Sequence, residues 1–253
     1  MLKNDYSDYN DLLLKCQNSG KYRLFTFDIK NSKKLDTPSF YIFHYDIFFI
    51  IERVYQDLLL LQEKLGKQIL INDIGYHRFL ENPDIVNRGQ MPWDWFMFGD
   101  MVGITIYNNS IPAEVVYKIF ELNEKEMNLD FKFHKSDLVY ETDDYVEGGE
   151  KYFRGYAVLT CSNLHKSYNK DLKKKIDKIK GISKNNEDEI NYYMEIVNSN
   201  HDKAVLNAIK ELSKPYSWKS ESFMDINGNY NYKFFGNEQY GYAYEEKKKK
   251  KKM

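Results

Sequence analysis

Tyr22-Arg23-Leu24-Phe25-Thr26-Phe27-Asp28-Ile29-Lys30-Asn31-Ser32 sets the architecture of this chain. Aromatic and aliphatic residues run up to a carboxylate, and a short polar turn follows. That order predicts a strand carrying Asp28 to its own C-terminal tip. A carboxylate delivered in this way can hold a hard metal ion over the turn. Further along, Phe96-Met97-Phe98-Gly99-Asp100-Met101-Val102-Gly103-Ile104-Thr105-Ile106-Tyr107 puts two apolar runs around a Gly-Asp pair, the pattern of a hairpin with an acidic tip. Two acidic tips on adjacent strand ends make a clamp for one or two Mg2+ ions and a triphosphate.

The neighbouring segments supply the other elements. Residues 1–20 read as a helix with Tyr9, Leu12, Leu13 and Cys16 on one face and Gly20 as its stop. From Phe40 to Leu65, apolar residues recur at helical spacing (Phe43, Ile47, Ile50, Ile51, Val54, Leu58, Leu61), and Gly66 closes a long amphipathic helix. Lys67–Ile71 is short and apolar enough for a strand. Pro112 stands near the start of a second helix that buries Val115, Val116, Ile119, Phe120 and Leu122. Phe131, Phe133, Leu138 and Tyr140 fall on an alternating strand within Asp130–Tyr140. The expected fold class is therefore α+β: a mainly antiparallel, palm-like sheet with helices packed on one face. Composition divides the chain into a folded unit over 1–172, a helical and hairpin extension over 173–246, and a disordered lysine tail over 247–253.

A chain of 253 residues with 42% hydrophobic and 30% charged content has enough apolar material for a sizeable core, which argues against disorder. Its net charge of −1 gives no global pull toward nucleic acid or an anionic membrane, so nucleic acid is not the expected partner. The longest apolar run, Ile47–Ile51, is too short to cross a bilayer, and the opening residues lack the apolar core of a secretory signal. The two cysteines, Cys16 and Cys161, make neither a disulfide framework nor a metal-ligand spacing. A reducing, cytoplasmic setting is expected. The five histidines are scattered without metal spacing.

The order of these elements and their two carboxylates resembles the catalytic domain of class III nucleotidyl cyclases. The resemblance rests on Asp28-Ile29-Lys30-Asn31-Ser32 as the first-strand motif and on Gly99-Asp100 as the hairpin tip. A late segment, Gly155-Tyr156-Ala157-Val158-Leu159-Thr160-Cys161-Ser162-Asn163-Leu164, completes it. It covers roughly residues 20–168 and implies a palm or ferredoxin-like cyclase fold. It also implies that Asp28 and Asp100, with the backbone carbonyl of Ile29, hold Mg2+ or Mn2+. The substrate would be a nucleoside triphosphate, cyclised to a 3′,5′-cyclic nucleotide with release of pyrophosphate. The amides of the Ile29–Ser32 turn suit phosphate oxygens, and Lys30 adds positive charge beside Asn31 and Ser32. Such enzymes work as head-to-tail homodimers.

Four positions depart from the family pattern. Leu159 stands where the family has its transition-state Asn, and Asn163 where it has an Arg. Asn163 donates a hydrogen bond but no charge, so the missing cation falls to Lys166, His165, Arg154 or a partner subunit. Phe96 and Tyr152 occupy the positions that read a purine edge in relatives selective for adenine or guanine. An aromatic lining suits stacking on a base, which brings to mind the bacterial antiphage (Pycsar-like) cyclases that make cyclic UMP or cyclic CMP.

Each feature also has a plain structural reading. Asp28 could cap its turn, and Asp100 could be ordinary hairpin chemistry. Trp93, Trp95, Phe96 and Phe98 suit core packing as well as a ligand box. Two other functions are open at this point: a degenerate cyclase fold that binds nucleotide or a partner without turnover, and a phage-associated structural or nucleic-acid protein with a palm-like core.

Overall fold

The computed structural model describes residues 6–34, 37–71, 95–98, 100–141, 161, 164, 170–180 and 187–212. In chain order the elements are α1 (Tyr6–Ser19), β1 (Tyr22–Ile29), a 3-10 turn (Ser32–Lys34), α2 (Thr37–Leu65), β2 (Trp95–Phe98), β3 (Met101–Tyr107), α3 (Ala113–Met127), β4 (Phe133–Tyr140), α4 (Lys170–Lys180) and α5 (Glu187–Leu212). The strands form one antiparallel sheet in the order β2-β3-β1-β4. Strand β1 is interior: Asp28 lies opposite Met101 on one side and His134 on the other.

Strand β1 is buried along almost its whole length rather than at alternate positions. Both faces of the sheet are covered, which corrects the expectation of helices on one face only. A strand buried on both sides reads as a nearly continuous apolar run, as Leu24-Phe25-Thr26-Phe27 does. Phe25, Phe27 and Ile29 point to the face covered by α2, α3 and α5, where Phe27 stacks on Phe120 at 3.6 Å between ring centroids. Phe120 meets Phe133 edge-on at 4.9 Å; ring pairs of this kind add about 0.5–1.5 kcal/mol beyond their burial. Tyr22 and Leu24 point to the other face. There they meet Leu13 and Cys16 of α1, Leu172 and Ile176 of α4, and the buried residues Cys161 and Leu164.

Helix α2 starts three residues before its predicted bound and keeps its expected row: Ile47, Ile50, Ile51, Val54, Leu58 and Leu61 are all buried. Its polar positions Glu52, Arg53, Gln56 and Asp57 are buried as well: Arg53 and Asp57 meet His201 of α5, while Glu52 accepts from Gln56 and from the Trp95 indole of β2. Helix α5 contributes Ile190, Tyr193 and Val197 to the same core as β1 and α2, although it lies beyond residue 172. Instead of a strand, Lys67–Ile71 makes a single bridge from Leu70 to Ile106. The side-chain carbonyl of Gln62 accepts the Ile69 and Leu70 amides there, at 2.8 and 2.9 Å. The acidic loop after Glu141, the hairpin expected around Asn227-Gly228 and the lysine tail lie outside the described residues.

Candidate functional site

The β1 strand delivers Asp28 to the end of the sheet, and the register of β3 brings Asp100 beside it. The Ile29 amide donates to the Asp100 carbonyl at 3.0 Å, so Asp100 is the first residue past the paired strand and adjoins the β1 tip. Past that tip, the Lys30 amide donates to Lys132 O at 2.8 Å, tying the turn to the residue before β4. Asn31 then takes the left-handed conformation (φ 60°), which Asn tolerates better than most residues. This reverses the chain into the 3-10 turn, which the Lys34 amide closes onto Asn31 O at 2.8 Å. The reversal aims the Ser32 hydroxyl at Asp100, and it donates to carboxylate Oδ2.

The two carboxylates differ in setting. Asp28 is 2% exposed and shares its sheet face with Thr26 and Met101, whereas Asp100 is half-exposed in its turn. Lys30 and Asn31 are exposed beside them. The structure thus brings Asp28, Ile29, Lys30, Asn31, Ser32 and Asp100 to one end of the sheet. Every donor atom these side chains and carbonyls offer a cation is oxygen, the set that suits Mg2+ or Mn2+ rather than a softer metal. Among the described residues no group of three or more His, Cys, Asp and Glu side chains is arranged to hold a metal ion, so the pair supplies only part of a coordination shell.

The remaining candidates are placed less completely. Phe96 stands on β2 opposite Gly103, and its side chain lies outside the described residues. Tyr152, Asn163, Lys166 and Leu159 lie outside them too. Cys161 and Leu164 are described and buried. The Cys161 thiol and the Thr26 hydroxyl share a hydrogen bond of 3.0 Å. Thr26 is two residues before Asp28 on the same sheet face, so the late segment reaches β1 on the side to which Asp28 belongs.

His134, read from the sequence as an ordinary surface or core histidine, is exposed. It lies directly across from Asp28 in the β1–β4 register, and paired residues of neighbouring strands share a face. The signal for its face was the alternation of β4 itself: the strand pattern sets His134 opposite in face to Phe133. Sequence reasoning passed over a second polar cluster, built from α2, α3 and α5 around His201, which is described below.

No protein-family model, curated protein or solved structure matches this chain. Among the described residues, no helix is long and apolar enough to cross a membrane.

Proposed function

We propose that this protein is a metal-dependent nucleotidyl cyclase, turning a nucleoside triphosphate into a 3′,5′-cyclic nucleotide and pyrophosphate. The observation that carries the reading is the junction of Asp28 and Asp100, which adjoin only through the fold. The element order β1-α2-β2-β3-α3-β4 and the strand order β2-β3-β1-β4 support it, because they follow the split-βαβ pattern of a palm or ferredoxin-like domain.

Asp28, Asp100 and the carbonyl of Ile29 would hold Mg2+ or Mn2+. When bound, the cation neutralises phosphate charge and lowers the pKa of the attacking hydroxyl. Ser32 holds the Asp100 carboxylate in one orientation. Lys30 offers charge to phosphate oxygens at the solvent side of the turn. In the reaction the ribose 3′-oxygen loses its proton and attacks the α-phosphorus, and the bond to the pyrophosphate oxygen breaks. Asn163 and Lys166 are the candidates for stabilising the charge that develops there, in one chain or across a homodimer. With Phe96 and Tyr152 at the base-reading positions, UTP or CTP is the favoured substrate. A cytoplasmic signalling or antiphage role follows from that product class.

Leu159 and Asn163 favour a second reading, in which the same fold binds nucleotide or a partner without turnover. One experiment separates the two: incubation of the protein with each triphosphate and Mn2+, then chromatography of the products. Cyclic product that disappears in folded Asp28→Ala and Asp100→Ala variants supports the cyclase. Saturable nucleotide binding without product supports the second reading; neither binding nor product overturns the cyclase and leaves of the second reading only the form that binds a partner.

A further inference from the structure

His201 is 5% exposed in the middle of α5, and both of its ring nitrogens face carboxylates from other helices. Its Nδ1 is 2.9 and 3.0 Å from the two carboxylate oxygens of Asp57 on α2. Its Nε2 is 2.9 Å from Glu126 Oε2 on α3. Asn123 of α3 donates to Asp57 Oδ2 at 2.9 Å. Arg53 of α2 pairs with the same Glu126 oxygen and reaches the His201 ring at 3.4 Å. These are the charged and titratable groups that face the imidazole from the two helices packed against it.

Proton counting decides the state of this cluster. An ionised carboxylate only accepts hydrogen bonds, and a neutral imidazole has one N–H to give. A neutral ring would satisfy one carboxylate and turn a bare lone pair toward the other. The Arg53 contact does not remove that conflict, because it is longer than the contact to Glu126 and poorer as a hydrogen bond. Charge leads to the same answer. Asp57 and Glu126 carry two negative charges and Arg53 one positive, so an imidazolium brings the cluster to neutrality; Asp57 and Arg53 are buried, Glu126 opens to solvent, and unbalanced charge on the buried side is costly.

We infer that His201, held between the buried Asp57 and the solvent-facing Glu126, is a proton-binding site, and that the proton held there latches α5 onto α2 and α3. This inference is independent of the nucleotidyl cyclase reading. The titration directions agree with it. The hydrogen bond that His201 donates to Asp57 is the largest influence raising His201 above its ordinary 6.5, and it outweighs burial. Burial is the largest influence raising Asp57 above its own ordinary value. Glu126 is exposed enough that hydrogen bonds and charge from His201 and Arg53 outweigh burial, and its carboxyl is lowered. Because the folded value of His201 is raised, the latch is fully formed below the unfolded value and is lost as pH rises through the folded one. Helix α5 is therefore held in mildly acidic solution and loosens as pH rises through the raised value of His201.

The test is nitrogen-15 NMR of the imidazoles in the full chain, with hydrogen exchange along α5 corrected for the intrinsic pH dependence of exchange. At ~pH 6 the His201 ring is expected to show two protonated nitrogens, and its titration midpoint is expected above that of an exposed histidine. Across that midpoint, protection of the α5 amides is expected to fall ~10-fold or more relative to β1. In His201→Gln, which keeps a donor but cannot titrate, α5 protection is expected to be flat with pH. A neutral-ring signature at ~pH 6, a midpoint at or below the exposed value, or α5 protection in the native chain that ignores the titration would each overturn the inference. The NMR arm uses the native protein, so it decides the question even if the variant does not fold.

Discussion

Tyr117 shows what a single buried hydroxyl does here. It donates to Asp137 Oδ1 at 2.6 Å, and Asp137 is 3% exposed on β4. Burial, followed by the charge of Asp137, holds the phenol well above 10, so it remains a donor at any working pH. Tyr117→Phe removes the donor and keeps the ring against Phe25 and Phe27. The expected loss is about 1–3 kcal/mol in urea unfolding, the usual cost of depriving a buried carboxylate of a hydrogen bond. Asp46 acts in the opposite sense. Burial, then the nearby charge of Asp130, raises its carboxyl to about 6. A carboxyl whose folded value lies above its unfolded value opposes folding when ionised, so this group's contribution improves as pH falls through about 6. Asp46→Asn is expected to raise the urea midpoint above that pH and to leave it nearly unchanged well below it.

At the scale of elements, α1 and β4 meet closely at Gly20. Gly20 ends α1, its amide donating to Cys16 O at 2.7 Å. A Cβ on Gly20 would come within 2.7 Å of Tyr140 O and within 2.8 Å of Cys16 O, and backbone atoms yield poorly. Gly20→Ala is expected to cost about 1–3 kcal/mol by overpacking. Gly66, at φ 59° with open space around it, is expected to lose only about 1 kcal/mol as Ala, the strain of the left-handed conformation alone. Urea titrations of the two variants compare these directly.

The same scale shows what the sequence could convey. Helices α2 and α3 were legible because their apolar residues repeat at one helical period, and β1 and the strands around Gly99-Asp100 because their short apolar runs are bounded by turn residues. That Asp28 and Asp100 stand at strand ends was legible too, since strand ends and turns are local signals; that β1 and β3 pair and set those ends side by side was not. Two-sided covering of the sheet was not, because it depends on where α1 and α4 dock. Helix α5 reads as polar on average, yet Ile190, Tyr193, Val197, His201, Ala204 and Ala208 form a helical row, all of them buried. His201 sits within that apolar row, and only the partners brought by α2 and α3 explain why a histidine is tolerated there.

At the scale of the whole molecule, residues beyond 172 are part of the core. Ending the chain at residue 180 removes the side chains of Ile190, Tyr193 and Val197 from the main core and leaves Asp57 without the imidazole. At about 1.5–3 kcal/mol per buried apolar side chain, the loss rivals the entire stability of a typical domain. The shortened chain is expected to lose its cooperative urea transition and its near-ultraviolet circular dichroism. A shortened chain that unfolds as sharply as the full one would mean that α5 is dispensable. His201 and Asp46 also act in concert across the molecule: both withdraw stability as pH climbs, so the full chain is expected to melt earlier in alkali than in mild acid.

The interior position of β1 bears on how the protein is made. The ribosome releases Tyr22–Ile29 early, but its hydrogen-bonding neighbours, Met101–Tyr107 and Phe133–Tyr140, emerge much later. During synthesis the strand waits with both edges open, carrying an aromatic, aggregation-prone segment. Such distant pairing slows folding and exposes nascent chains to self-association, so chaperone capacity should govern the soluble yield more than growth rate does.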